Sequence, residues 1–203
     1  MNLSKNINLK IFATFIVSLI YAIIRYIVFG NIPWVEVPLF VTNKAISLTV
    51  IFILVFSIQK TNVKAIRKKY FKMVFILTSL HVFLSFKLLG PEHYQKFYLE
   101  NELNLIGYFT LFFGITAFIG LVILISDNKL PTETGKFKIS LKLKKILGSF
   151  IPIFIAGHLF SMGIIGWISP KNWHGYLIPI SLIGFILILY YLKIIFSKKE
   201  KSF

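Results

Sequence analysis

Residues 104–126 read NLIGYFTLFFGITAFIGLVILIS, with no charged side chain among them. A helix rises about 1.5 Å per residue and bilayer hydrocarbon is about 30 Å thick, so roughly 20 such residues cross it. A surface helix of a soluble domain would carry a polar face; this stretch has none. Outward from it, five more apolar blocks follow the same pattern: 10–29, 38–58, 70–89, 147–168 and 175–196. Hydrophobic residues are 57% of the 203, and they come in blocks rather than in short periodic runs. The expectation is an all-α integral membrane fold, a six-transmembrane-helix bundle with residues 1–203 as a single transmembrane domain. The second block reads as the weakest, because Asn43 and Lys44 interrupt it and only Ala45–Ile58 is clean. No small-residue cleavage site follows the first block, so it reads as a retained helix rather than a signal peptide.

Charge orients the expected spans. The chain holds 23 Lys and Arg against 7 Asp and Glu, a formal net charge of +16. Such a balance would suit nucleic acid if it were spread over one surface. Instead the basic residues cluster at Lys5–Lys10, Lys60–Lys72, Lys129–Lys145 and Lys193–Lys201, which are every second connection. The alternate connections carry Glu36, Glu92, Glu100 and Glu102. That is the positive-inside pattern: both termini are expected in the cytoplasm and the basic loops against anionic headgroups. The partner is the lipid bilayer, with no nucleic acid, and the expected location is a multi-pass position in a bacterial inner membrane. Thr132-Glu133-Thr134-Gly135 reads as a turn in the longest connection. The chain has no cysteine, which removes disulfides, thiol redox chemistry and Cys-ligated metals from consideration.

Aligned with itself, the chain shows a repeat. Arg67-Lys68-Lys69 leads into a span containing His81, followed by Gly90-Pro91 and His93. Leu143-Lys144-Lys145 leads into a span containing His158, followed by Ser169-Pro170 and His174. All four histidines fall into these matching halves. The second and third spans, and the fourth and fifth, therefore read as two copies of one helical hairpin, a relation that tends to place a site at the interface of the copies. His81 and His158 each lie about eleven residues into a span, roughly 16 Å from its basic edge.

An imidazole in hydrocarbon needs partners for two ring nitrogens, and polar groups at that depth usually face the bundle interior. The bland account is two unrelated histidines, each bonded to a neighbouring carbonyl. The sharper one is axial ligation of one b-type haem by His81 and His158, since haem iron accepts two neutral imidazoles from facing helices. No Asp or Glu lies within a span, so zinc or a two-His-one-carboxylate iron would lack ligands. Arg25, deep in the first span, is a candidate clamp for a haem propionate, with Lys44 and Lys87 as further candidates. His93 and His174 fall in outer connections among Tyr and Trp residues.

On these residues the sequence resembles the ferric reductase-like transmembrane domain, the six-helix haem b architecture of the MsrQ and STEAP groups. Asn43-Lys44-Ala45 opening the second span, the basic loop through Arg67-Lys68-Lys69, Leu80-His81-Val82 and Gly157-His158-Leu159 carry the resemblance. It implies His81 and His158 as haem ligands, electron entry from the cytoplasmic face and exit at the outer face. With one histidine per ligating span it implies one haem, where larger relatives stack two. No Gly-rich nucleotide fingerprint occurs, so the donor is expected to be a separate cytoplasmic reductase, a quinol, or a flavin held by the basic loops. The expected function is a membrane cytochrome b-type subunit passing electrons across the bilayer, as the haem-binding part of an oxidoreductase. The alternative is a non-redox membrane transporter or assembly protein with a buried histidine pair.

Overall fold

The computed structural model describes residues 3–59, 64–126 and 140–200. The expected turn at Thr132–Gly135 lies outside them. The long helices are α1 (Leu3–Ile23), α2 (Thr42–Gln59), α3 (Lys64–Leu88), α5 (Leu105–Ser126), α6 (Leu141–Trp167) and α7 (Ile180–Glu200), with a single turn, α4, at Pro91–Tyr94. Six segments are long and apolar enough to cross a membrane: Ile7–Val28, Trp34–Ile58, Ala65–Leu88, Leu105–Ile125, Ile146–Trp167 and His174–Ser197. The protein is thus an all-α, multi-pass membrane bundle.

Consecutive spans alternate in direction. The starts of α3 and α6, with Arg67, Lys68, Lys69 and Lys144, lie at one end together with Lys10 of α1 and Lys193 of α7. We call this the basic end. The opposite end is capped by ordered connections. There β1 (Tyr98–Leu99) pairs antiparallel with β2 (Glu102–Leu103). Glu100 and Asn101, at φ 50° and 69°, turn the hairpin; positive φ at both central residues matches the twist of the flanking strands. Asn104 then ties the hairpin to α5, accepting from the Gly107 amide at 3.0 Å and donating to the Lys96 carbonyl at 2.9 Å. Leu88, Tyr94 and Phe97 form a small core beneath it, packed against Leu39, Phe40 and Met162.

The second span is the centre of the molecule. Of its most apolar stretch 67% is buried, against 28% or less in each of the other five. Asn43 is fully buried. The two residues that seemed to weaken this span as a membrane helix point into the protein, so they cost little exposure to lipid. Helix α2 packs on α1, α3 and α7; α7 packs on α6, α6 on α5, and α5 more lightly on α3. Helices α2, α3, α5, α6 and α7 therefore close a ring in which α3 and α6 are not among the closely packed pairs. In lipid, helices associate through close packing rather than hydrophobic expulsion. Glycines permit it here: a Cβ on Gly120 of α5 would lie 2.9 Å from Ile151 of α6, and one on Gly184 of α7 would lie 2.7 Å from Ile51 of α2. The outward faces carry exposed Phe12, Val17, Phe83, Phe112, Ile119 and Ile186, as a lipid-facing surface should.

Candidate functional site

His81 stands on α3 and His158 on α6, on non-adjacent helices of the ring. Each is anchored from behind by the helix that precedes its own in the chain. His81 Nδ1 lies 2.6 Å from Asn43 Oδ1 on α2. His158 Nδ1 lies 2.8 Å from the Thr110 carbonyl on α5. A carbonyl can only accept, so Nδ1 of His158 carries its proton and donates it. Asn43 holds the matching role for His81: its Nδ2 donates to Ser85 Oγ at 3.0 Å, which turns Oδ1 toward the imidazole. Both rings are thereby fixed in the tautomer whose Nε2 bears a lone pair. Neither Nε2 has a hydrogen-bond partner among the described residues.

Local packing explains the ring positions. A Cβ on Gly114 of α5 would sit 2.8 Å from His158 Nδ1 and 3.1 Å from its Cε1, so only glycine leaves room for the imidazole there. At the adjacent residue on α6 the relation is reversed. A Cβ on Gly157 would lie 2.8 Å from Phe113 of α5. Two glycines on facing helices each receive a ring from the other side, and α5 and α6 approach closely enough for the Thr110 carbonyl to reach His158.

The imidazoles of His81 and His158 are electrostatic neighbours, and both also feel the ammonium of Lys44. Lys44 Nζ donates to Tyr94 Oη at 3.1 Å and sits over the Tyr94 and Phe40 rings, 4.5 and 5.0 Å from their centroids. The cation beside the histidine pair is therefore Lys44. Arg25, expected as the clamp, is buried on the widened end of α1, where it donates to the Leu177 carbonyl and lies 5.6 Å from the Tyr26 ring centroid. Lys87 lies over Phe83, 5.9 Å from its centroid. His93 pairs with Glu36 at 3.3 Å and stacks on Phe40, while His174 meets the edge of Tyr26. Each of those two histidines belongs to the packing of the capped end.

Among the described residues no group of three or more His, Cys, Asp or Glu gathers where a metal ion could be held. Two neutral imidazoles alone are a donor set for haem iron, which brings its other four nitrogens with it. Their Nδ1–H groups tied to acceptors are the outer support that orients ligating histidines. The residues present fit a haem. Sequence reasoning located both histidines but did not assign Asn43 or the Thr110 carbonyl as their supports. An Asn inside an apolar block was the available signal for the first; a backbone carbonyl leaves none. Comparison with protein-family models, with curated proteins and with solved structures returned no match to this chain.

Proposed function

We propose that this protein is a membrane cytochrome b-type subunit that carries electrons across the bilayer, with His81 and His158 as the axial ligands of one haem. The observation that carries the reading is the pair of imidazoles whose Nδ1–H groups are both committed backwards, leaving two Nε2 lone pairs without a partner among the described residues, on helices that are not consecutive in the ring. A buried polar contact of the kind a non-redox transporter would use should instead pair those atoms.

The positive-inside pattern puts the basic end in the cytoplasm. The Lys68, Lys69 and Lys144 side of the bundle would then dock the electron donor, a separate reductase, a quinol, or a flavin. The capped end would face the acceptor. The two histidine-bearing hairpins, α2–α3 and α5–α6, read as copies of one unit, since in each the histidine of the second helix bonds back to the first. When bound, haem supplies the one-electron couple. The chain holds both imidazoles in one tautomer and sets a positive charge, Lys44, beside them. A positive charge near the site favours the reduced state.

The test is optical. Protein purified from haem-supplied membranes should show sharp, dithionite-dependent bands of a bis-imidazole haem. A colourless preparation, or the same bands in both His81→Ala and His158→Ala, would end the proposal.

A further inference from the structure

On the capped side of the ring two ammonium groups, those of Lys44 and Lys96, have no carboxylate partner among the described residues. Lys44 reaches in from α2, one residue after the Asn43 that supports His81, with the Tyr94 hydroxyl as its hydrogen-bond partner. Lys96 comes from the segment between α4 and β1. It is exposed as a residue, and its ammonium donates to the carbonyl of Met162, one helical turn beyond His158 on α6. Glu36, a carboxylate at the same end, is paired with His93. Tyr94, buried and stacked on Phe97 with centroids 5.4 Å apart, fixes the geometry of both lysines, because the hairpin behind Phe97 holds the Lys96 backbone.

We propose that Lys44 and Lys96 form a two-point receptor for the carboxylates of a dicarboxylate porphyrin lying between α3 and α6. This deepens the haem reading and rests on it for the identity of the ligand. Two cations, one next to Asn43 and one on the Met162 carbonyl a turn past His158, match a planar ligand with two acidic arms on one edge, whereas a single acidic group would need one. Neither ammonium has a carboxylate partner among the described residues, and an anion between the two would complete both with charge-assisted bonds. Burial, and after it the charge of Lys44, pushes the Lys96 amine down to about 8, a cost that an anion between the two would relieve. Arg25, held by Leu177 and Tyr26, has no part in the receptor.

The experiment titrates the detergent-solubilised apoprotein with protoporphyrin IX and with its dimethyl ester, first metal-free and read by porphyrin fluorescence, then with ferric iron and read by absorption. The wild type should prefer the diacid over the diester by about tenfold or more, charge-assisted contacts being worth that much each. Lys44→Gln and Lys96→Gln should each shrink the preference, and the double variant should erase it while leaving diester binding unchanged. Lys96 is exposed, so Lys96→Gln remains informative if Lys44→Gln fails to fold. Equal binding of diacid and diester by the wild type, or an undiminished preference in Lys96→Gln and the double variant, would overturn the receptor. A free dicarboxylate such as succinate should not displace the porphyrin; displacement would assign the site to small anions and overturn the porphyrin assignment. Diacid preference for the metal-free ring without a bis-imidazole spectrum for the iron form would sink the ligation proposal alone. Failure of both porphyrins to bind would remove both.

Discussion

The two histidine hairpins do the same job with different materials. In α2–α3 the orienting acceptor is a side chain, Asn43, itself held by Ser85. In α5–α6 it is a backbone carbonyl, made reachable by the glycines at 114 and 157. The first device can be deleted by one substitution and leaves a mark in the sequence. The second cannot be deleted by changing the residue that supplies it, only by pushing the helices apart.

Substitutions can break or sharpen that comparison. The largest effect is expected where the hairpins are equal: His81→Ala or His158→Ala should abolish the bis-imidazole absorption, and retention of it in either would disprove ligation by that residue. Next, Asn43→Leu should weaken haem retention by about 10–100-fold, the usual consequence of losing a ligand's outer support. Thr110→Val keeps the carbonyl and should change retention by no more than about threefold; equal losses in a haem titration would erase the distinction between the devices. Gly114→Ala should displace the His158 ring and cost about 1–3 kcal/mol of overpacking. Thermal unfolding measures it, and a wild-type midpoint would mean the α5–α6 approach is looser than described. The smallest effect belongs to His93→Ala, which removes a partly exposed contact with Glu36. It should cost under about 1 kcal/mol and leave the haem spectrum intact.

The bundle was legible because a span is written locally. Residues 104–126 need no distant partner to be read as a membrane helix, and the described span, Leu105–Ile125, differs little. The third span begins at Ala65 rather than at 70, because basic side chains can continue a helix past the apolar edge when that end is solvated. Asn43 and Lys44 looked like flaws for the opposite reason. Their partners His81, Ser85 and Tyr94 lie 38, 42 and 50 residues away, a relation no local pattern encodes. The capped-end hairpin also escaped notice: its strands have two residues each, too short to alternate, and its turn is Glu100-Asn101 rather than a glycine pair. Arg25 was legible as a buried cation and not as to its direction, which depends on the Leu177 carbonyl 152 residues on.

Electron paramagnetic resonance of the ferric protein tests the central claim most directly. Two imidazoles on one iron make the wild type low-spin, and loss of either His81 or His158 should convert it to high-spin or leave no iron signal. A high-spin wild type, or a low-spin signal unchanged by either substitution, would contradict the account.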